Sequence, residues 1–304
     1  CFNALDRHVD AGHGDRTALI WESNDGTLLN FTYQDLLTQV CRVADAMQKK
    51  LGLAKGDRII IFMPMVPEAV TLMLAAWRIG VIFSVIFSSF ETGPIKERIE
   101  HTGAKVVFTA NGFQRGPKMH SLKPRIDEAV KGTSVKNVVV LNRNGEKSEM
   151  KKDRDIWWND FLSGAADHIP AEKLESNDPS YILYTSGSTG GPKGMVHSTG
   201  GYMTGVYESS RLVFQLRSDD IFWCTADIGW VTGHSYTVLA PLLHGCTTVV
   251  FEGMPSWPNK DRIWEIIDRH KITVLYTAPT AINDFVATGS EWPDKHNLNS
   301  LRLL

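Results

Sequence analysis

The stretch from Tyr181 to Tyr202, YILYTSGSTGGPKGMVHSTGGY, constrains the fold of this 304-residue chain more than any other. It opens with four β-favouring residues, Tyr181–Tyr184, which follow the helix-breaking pair Asp178-Pro179. The next ten residues, Thr185–Gly194, are only Thr, Ser, Gly, Pro and Lys, so they add little to a hydrophobic core. A strand that runs into such a segment offers backbone N–H groups, hydroxyls and a lysine to an anion, and favours a nucleotide phosphate.

Two other interpretations of this segment are a flexible Gly/Ser linker and a Walker A loop. A linker requires neither the strand on one side nor the apolar Met195-Val196 on the other. The Walker A pattern G-x-x-x-x-G-K-[ST], counted from Gly187, fails at two positions. Pro192 replaces the second glycine, and Gly194 replaces the hydroxyl that binds Mg²⁺.

The string TSGSTGGPKG closely resembles the phosphate loop of the adenylate-forming superfamily, which includes acyl-CoA synthetases, luciferases and peptide-synthetase adenylation domains. In that superfamily the loop wraps the β- and γ-phosphates of ATP. The resemblance therefore implies ATP contacts at Thr185, Ser186, Gly187, Ser188, Thr189, Gly190 and Lys193. Of these residues, Thr189 and Lys193 are also expected to be catalytic.

Composition argues against several other classes of protein. With 43% hydrophobic and 22% charged residues, the chain resembles an ordinary globular protein. Its net charge of −2 gives no electrostatic reason to expect nucleic acid or an anionic membrane as a partner. Four cysteines without a CxxC pair, and the lack of a charged-then-apolar leader, favour a reduced, cytoplasmic compartment.

One apolar run, Ala69–Phe87, could be mistaken for a membrane-spanning helix. Arg78 near its middle would cost about 2.5–3.5 kcal/mol in a bilayer. Gly80 also divides the run into a helix-favouring half and a β-branched half. We therefore predict a buried helix followed by a buried strand.

Apolar strands alternate with amphipathic helices along the chain, which indicates an α/β fold with a mostly parallel sheet covered by helices. Thr32 is expected to cap a helix over Tyr33–Lys50, and RIIIFM at Arg58–Met63 is typical of a strand buried on both faces. The other predicted helices are Glu68–Ile79, Pro94–Thr102, Gly200–Phe214, Ser235–Leu243, Asp261–His270 and Pro279–Ala287. The other predicted strands are Val81–Phe87, Lys105–Thr109, Asn137–Leu141, Tyr181–Tyr184, Ile221–Cys224, Thr247–Phe251 and Thr273–Ala278.

We predict two α/β subdomains, residues 1–150 and residues 151–304, the second with the phosphate loop. The polar, aperiodic residues Asn142–Lys152 indicate an exposed joint between them. The resemblance implies a partial luciferase-like adenylation domain with stacked sheets in an αβαβα order. It also implies that the rest of the adenylation core and a small C-terminal domain lie outside this sequence, so the chain alone is expected to be inactive.

The second informative stretch is CTADIGWVTGHSY, Cys224–Tyr236, at the carboxyl end of a predicted strand, where open α/β sheets bind ligands. It closely resembles the corresponding segment of short-chain acyl-CoA synthetases. The resemblance implies that Trp230 is a gate at the acyl pocket and one of the catalytic residues, that Val231 shapes this pocket and that Thr232 approaches coenzyme A. Taken without the resemblance, Trp230 is equally well interpreted as core filling. His234 is expected to be structural, because a carboxylate substrate is already ionised and needs no general base.

Arg115 and Lys118 are two cations beside Gly116-Pro117, a pattern that composition alone assigns to a solvated turn. The matching segment of acetyl-CoA synthetases, RGG and a cation, grips the 3′-phosphate of coenzyme A. In this chain Pro117 replaces a glycine, and Lys118 supplies a point charge rather than a fork. The resemblance implies coenzyme A contacts at Arg115, Gly116, Pro117, Lys118, Thr232 and Ser256, and a ligand cleft lined by Tyr276–Ala281.

Together these segments resemble AMP-forming acetyl-CoA synthetases over essentially the whole chain. The resemblance implies that ATP converts acetate to acetyl-AMP, and that the acetyl group passes to coenzyme A, with Mg²⁺ as cofactor. No metal ligand is assigned within the sequence, and the oligomeric state is not predicted. A propionate-specific or related short-chain synthetase is a competing hypothesis, although Thr232 favours acetate because such enzymes often have Val there. Two further hypotheses are a non-catalytic nucleotide-binding module and a structural interaction protein.

Overall fold

The computed structural model describes residues 1–185 and 192–304. The described chain forms two compact units that interleave in sequence. Unit 1 contains Cys1–Phe2, Leu37–Phe113 and Met119–Thr204, and unit 2 contains Asn3–Leu36, Gln114–Lys118 and Gly205–Leu304. The boundary predicted at residue 150 lies inside unit 1, and the polar residues 142–152 lie there as well.

Strands and helices alternate through most of the described chain. The strands are β1 (Thr17–Ser23), β2 (Leu28–Thr32), β3 (Arg58–Phe62), β4 (Ile82–Val85), β5 (Val106–Ala110), β6 (Gly112–Arg115), β7 (Lys118–Ser121), β8 (Asn137–Leu141), β9 (Asp155–Trp157), β10 (Pro179–Thr185), β11 (Lys193–Ser198), β12 (Ile221–Cys224), β13 (Thr247–Glu252) and β14 (Val274–Tyr276). The helices are α1 (Asp6–His8), α2 (Tyr33–Leu51), α3 (Pro67–Ile79), α4 (Thr92–Thr102), α5 (Lys123–Ala129), α6 (Trp158–Leu162), α7 (Thr199–Ser209), α8 (Ala240–His244), α9 (Arg262–His270) and α10 (Pro279–Thr288). Short π-helical turns cover Val9–His13, Ser210–Phe214 and Gly233–Leu239, and a 3-10 turn covers Pro293–Lys295.

Unit 1 is built on a seven-stranded sheet in the order β11-β10-β4-β3-β5-β8-β9. Neighbouring strands pair in parallel, except that β11 runs antiparallel to β10 at the edge. Ile59, Ile60, Ile61 and Phe62 of β3 are completely buried, which confirms the strand predicted from its continuous apolar run. The strands of this sheet that run in parallel end at the same edge, and β10 leads from that edge into the predicted phosphate loop.

The apolar run Ala69–Phe87 forms α3 and then β4, as predicted. Gly80 ends α3 with a left-handed φ of 70°, which lets its N–H donate to the carbonyl oxygen of Ala76. Arg78 is completely buried, and its Nε donates to the carbonyl oxygen of Ile169 at 3.0 Å. None of the helices in residues 1–185 and 192–304 combines the length and the hydrophobicity that a membrane crossing needs.

Unit 2 is built on a five-stranded sheet in the order β14-β12-β13-β1-β2. The first four strands are parallel, and β2 is an antiparallel edge strand. The sequence prediction has no strands at β1 and β2, and the pairing of β1 with β13 joins opposite ends of the chain. After β2, Thr32 caps α2 as predicted. The N–H of Asp35 donates to Thr32 Oγ1, and the N–H of Thr32 donates to Asp35 Oδ2, both at 3.0 Å.

Two helices predicted in the second half of the chain differ in detail from the observed ones. The helix predicted over Gly200–Phe214 divides into α7 and a π-helical turn that begins at Ser210. Ser210 Oγ donates to the carbonyl oxygens of Val206 and Tyr207 at 2.7 and 2.9 Å, which competes with regular helical bonding at this point. The helix predicted from Ser235 begins two residues earlier as a π-helical turn, and α8 then continues it.

Glu22 of β1 is a completely buried carboxylate that pairs with α9. Its Oε1 lies 2.5 Å from Arg262 and 2.6 Å from Arg269, and its Oε2 lies 2.6 Å from His270 Nε2. Burial alone raises the pKa of Glu22, but the His270 hydrogen bond and the two arginine charges outweigh burial and lower it below its ordinary value. A lowered carboxyl pKa means that ionised Glu22 stabilises unit 2 at neutral pH, and that this stabilisation is lost as the pH falls through that pKa.

Replacing Glu22 therefore tests the cost of a broken buried ion-pair cluster. Glu22→Gln is expected to lower the free energy of unfolding by about 3 kcal/mol at pH 7, because buried cations lose their carboxylate. The control is Glu265→Gln, at a partly exposed position of α9. It is expected to change the free energy of unfolding by less than about 1 kcal/mol. Urea denaturation measures both, and the Glu22→Gln effect shrinks below the ordinary Glu pKa of 4.5. Equal effects of the two substitutions would contradict the assignment.

Candidate functional site

The two ends of the predicted phosphate loop meet in unit 1. Thr185, the last residue of β10, pairs with Lys193, the first residue of β11, and Tyr184 pairs with Gly194. Both Thr185 and Lys193 are exposed, and their antiparallel pairing places a residue with a hydroxyl opposite a residue with an ammonium group at the end of the strand pair. The other predicted ATP contacts lie outside the described residues: Ser186, Gly187, Ser188, Thr189 and Gly190.

The predicted coenzyme A residues Arg115–Lys118 form the tip of the β6–β7 hairpin, and this tip belongs to unit 2. Gly116 is buried, and the other three residues are exposed. Asn24 holds the tip, because its Oδ1 accepts from the N–H of Gly116 at 3.0 Å and its Nδ2 donates to the Gly116 carbonyl at 2.9 Å. Gly116 has a φ of +58°, where a side chain would be strained, and a Cβ there would lie 2.8 Å from Met254 Sδ, so the position favours glycine.

The segment that carries Ser256 adjoins this tip. Met254 contacts the site of Gly116, and the N–H of Trp257 donates to the Met254 carbonyl at 3.1 Å. Ser256 is exposed in the turn so formed, and the Trp257-Pro258 peptide bond is cis. The structure therefore brings every predicted coenzyme A residue except Thr232 into two adjoining segments of unit 2.

The predicted acyl-pocket residues follow β12 in unit 2. Trp230 is 53% exposed and Val231 is 42% exposed, so the interpretation of Trp230 as core filling is wrong. Asp227 forms the turn that presents them, because its Oδ1 accepts from the N–H of Gly229 at 2.7 Å and its carbonyl accepts from the N–H of Trp230 at 3.1 Å. Thr232 is half-buried and directly precedes the π-helical turn.

The turn closes tightly on the residues that follow it. A Cβ at Gly233 would lie 2.1 Å from the carbonyl oxygen of Asp227, so that no larger residue fits without displacing the backbone. His234 is completely buried next to it, and its N–H donates to the Trp230 carbonyl at 3.1 Å. This burial agrees with the expectation that His234 is a structural residue rather than a general base.

Asp227 is a titratable residue that the sequence prediction does not single out. Burial raises the pKa of Asp227 to about 6, while the N–H of Gly229 and the charge of Arg115 oppose that shift. The influence of Arg115 links the hairpin tip and the Trp230 turn electrostatically within unit 2. The spacing of Asp227 and Gly229, Asp-x-Gly, is typical of a turn in which the carboxylate accepts from the backbone. This spacing is the sequence signal that could have identified Asp227.

A cavity of about 580 Å³ lies at the carboxyl end of β14 in unit 2. Tyr276, Thr277 and Pro279, from the stretch predicted to line a ligand cleft, are part of its wall. The other lining residues have no sequence prediction of this role: Val213, Phe214, Leu275, Ile282, Asn283, Leu303 and Leu304. Trp230 and Val231 do not line this cavity, so the structure does not bring the predicted acyl-pocket residues to it.

Metal-ligating side chains are scattered in the part of the chain that the structure describes. Residues 1–185 and 192–304 contain no group of three or more His, Cys, Asp or Glu side chains that could hold a metal ion. All four cysteines have free thiols, and three of them are buried. The Mg²⁺ expected from the resemblance therefore has no described set of ligands in this chain.

Comparison of the sequence with known proteins identifies its family. The family model described as AMP-binding enzyme matches residues 5–304. Similar curated proteins include acetyl-coenzyme A synthetases from Deinococcus radiodurans, 48% identical over 306 residues, from Rubrobacter xylanophilus, 48% over 305, and from Pasteurella multocida, 48% over 305. Each match covers 100% of this chain but only 47%, 47% and 46% of the respective relative. The chain thus spans about half the length of the curated relatives it matches.

The tight turn before Gly233 can be tested by adding one methyl group. Gly233→Ala is expected to lower the free energy of unfolding by about 3 kcal/mol, because the new Cβ collides with backbone rather than with a movable side chain. Gly205→Ala is the matched control, since nothing lies within 4 Å of a Cβ there and alanine favours the helix by about 1 kcal/mol. Chemical denaturation compares the two, and a Gly233→Ala chain as stable as the unchanged one would contradict the observed turn.

Proposed function

Because this chain belongs to the AMP-binding enzyme family, we propose that it is part of an enzyme that joins acetate to coenzyme A with cleavage of ATP. A carboxylate oxygen of acetate attacks the α-phosphorus of ATP, and pyrophosphate leaves as acetyl-AMP forms. The thiolate of coenzyme A then attacks the acetyl carbon, and AMP leaves as acetyl-CoA forms. The similarity to acetyl-coenzyme A synthetases supports this choice of substrates.

The observation that carries this proposal is the pairing of Thr185 with Lys193 across the mouth of the predicted phosphate loop. Acetate is an anion that ATP phosphates repel, so the first step needs positive charge and N–H donors that hold ATP for in-line attack. Lys193 supplies that charge in the proposal, and Thr185 supplies a hydroxyl beside it. The resemblance adds the loop residues from 186 to 190, among them Thr189, as the remaining phosphate contacts. Mg²⁺ is proposed as a companion of ATP, with no step and no ligand assigned to it.

The coenzyme A half of the proposal is supported by the hairpin tip of unit 2. Arg115 and Lys118 are exposed cations on a tip that Asn24 fixes, and such a pair is suited to the 3′-phosphate of coenzyme A. Ser256 adjoins that tip and is proposed as a further contact. Thr232 is proposed to approach coenzyme A beside Trp230, the gate of the acyl pocket, and Val231, which shapes it.

We also propose a cytoplasmic enzyme with small-molecule substrates. The free thiols of all four cysteines fit a reducing compartment. A net charge of −2 gives no electrostatic basis for nucleic acid as a partner. The overall activity is tested by acetate-dependent exchange of pyrophosphate into ATP by the full-length protein that carries this chain, and absence of exchange would overturn the proposal.

The role of Lys193 is tested by measuring ATP binding. Lys193→Ala is expected to raise the Kd for ATP about 10- to 100-fold, since a charge-assisted hydrogen bond to a phosphate contributes about 1.5–3 kcal/mol. Lys152→Ala, which removes an exposed lysine from the same unit, is the control and leaves the Kd unchanged. Isothermal titration of ATP into the full-length variants gives both values. Equal affinities of Lys193→Ala and the unchanged protein would remove the loop from the proposal.

The hairpin tip is tested by comparing coenzyme A with 3′-dephospho-coenzyme A. Arg115→Ala is expected to raise the KM for coenzyme A about tenfold and to leave the KM for the dephospho form unchanged, because the contact is to the 3′-phosphate. Lys118→Ala behaves similarly, and Lys118→Arg retains or lowers the KM because a forked donor replaces a point charge. Steady-state kinetics of the full-length protein measure these values. An equal rise of KM for both thiols would show that the hairpin tip does not bind the 3′-phosphate.

A further inference from the structure

Arg98 of α4 is placed against two aromatic rings of unit 1. Its guanidinium carbon lies 4.9 Å from the centre of the Phe90 ring and 5.0 Å from the centre of the Tyr184 ring. Phe90 ends the turn Phe87–Phe90, whereas Tyr184 is one residue before the end of β10. One cation therefore connects this turn to the strand that leads into the predicted phosphate loop.

The ring of Tyr184 is held between α4 and β11. On the α4 side, its hydroxyl lies 2.9 Å from His101 Nδ1, and the two ring centres are 5.6 Å apart. On the β11 side, a Cβ at Gly194 would lie 3.2 Å from ring carbons Cε1 and Cζ, so the backbone of β11 lies close to the ring. Gly194 is the register partner of Tyr184 and follows Lys193, so the ring packs against the strand that begins at Lys193.

The charge of Arg98 is partly desolvated, which strengthens its contact with the rings. Burial lowers the pKa of the Arg98 guanidinium, and the charge of Glu97 opposes that shift. One amino group donates to the carbonyl oxygen of Pro94 at 2.8 Å, within the same helix. A cation that has lost part of its hydration is bound more strongly by aromatic faces than an exposed one. The two rings are therefore the contacts through which Arg98 acts on the rest of unit 1.

We propose that Arg98 is a positioning residue for Lys193, because it holds the Tyr184 ring and thereby fixes the pairing of Thr185 with Lys193 where β10 and β11 end. The expected effect of Arg98 on ATP binding rests on the proposed function, but its expected effect on the pairing of β10 with β11 does not. The competing view is that Arg98 only packs α4 against the Phe87–Phe90 turn. Arg125 is a matched control for that view, because it donates to the Phe90 carbonyl at 3.1 Å and pairs with Glu91 at 3.5 Å.

The first test is limited trypsin digestion, without ligand, of the full-length protein that carries this chain. Cleavage between Lys193 and Gly194 is followed by mass spectrometry as the fragment that begins at Gly194. Arg98→Ala is expected to accelerate this cleavage about tenfold, and Arg98→Lys about threefold, since lysine retains a weaker contact with the rings. Arg125→Ala leaves the rate within about twofold of the unchanged chain. An unchanged rate for Arg98→Ala, or an equal acceleration by Arg125→Ala, overturns the proposal.

Variants of Tyr184 keep the test decisive if Arg98→Ala does not fold. Tyr184→Phe removes the hydroxyl that contacts His101 but retains the ring, so the cleavage rate is expected to stay within about twofold. Tyr184→Leu removes the ring face and is expected to reproduce the roughly tenfold acceleration of Arg98→Ala. Equal rates for the two Tyr184 variants would overturn the assignment of the ring contact.

The second test is kinetic and uses the full-length protein that carries this chain. Arg98→Ala is expected to raise the KM for ATP about tenfold, with the KM for coenzyme A changed less than about twofold, and Arg98→Lys restores most of the loss. An unchanged KM for ATP overturns the proposal. If the unchanged protein shows no acetate-dependent exchange of pyrophosphate into ATP, the proposed function fails, and the cleavage rates still decide the role of Arg98.

Discussion

Parallel strand pairing is the constraint on which both units depend. Parallel strands need a crossover between them, so each pair of neighbours brings in a helix or a long connection and buries both faces of the sheet. The same geometry places the carboxyl ends of neighbouring strands at one edge. In unit 1 the predicted phosphate loop follows β10 at that edge of its sheet. In unit 2 the Trp230 turn follows β12 at the corresponding edge. The location of the candidate residues is therefore a consequence of the sheets rather than of the loops.

Several charged residues that are buried inside these units have polar or charged partners. Glu22 is completely buried with two arginines and a histidine, and Lys123 is buried with Asp155 at 2.7 Å. Arg78 lies in a mostly apolar helix and donates to the carbonyl of Ile169. Removing one partner of such a cluster is costly, because it leaves an uncompensated buried charge, whereas desolvation offsets much of the attraction within the intact cluster.

Patterns carried by consecutive residues are what made much of the fold predictable. The buried strand β3, the division of the apolar run at Gly80 and the Thr32 cap all depend on neighbours in sequence, and the structure confirms each one. The pairing of β1 with β13 depends on residues far apart in the chain, and no local pattern at Thr17–Ser23 encodes it. The same limit applies to the interleaved units, since a contact between distant segments leaves no mark in either one alone.

The residues of the candidate site also differ in whether their features depend on neighbouring or on distant parts of the sequence. Lys193, Arg115 and Trp230 could be proposed from their own segments, Lys193 from the Thr, Ser and Gly residues around it, and Arg115 and Trp230 from the resemblance of their segments to those of a known family. The residues that contact those segments from elsewhere could not, because Asn24 and Arg98 have partners distant in sequence. Asp227 is intermediate, since its turn is local but its raised pKa comes from burial that only the fold creates. A candidate ligand contact is thus easier to propose from sequence than the residue that packs against it, because contact chemistry is local and packing is a property of the folded chain.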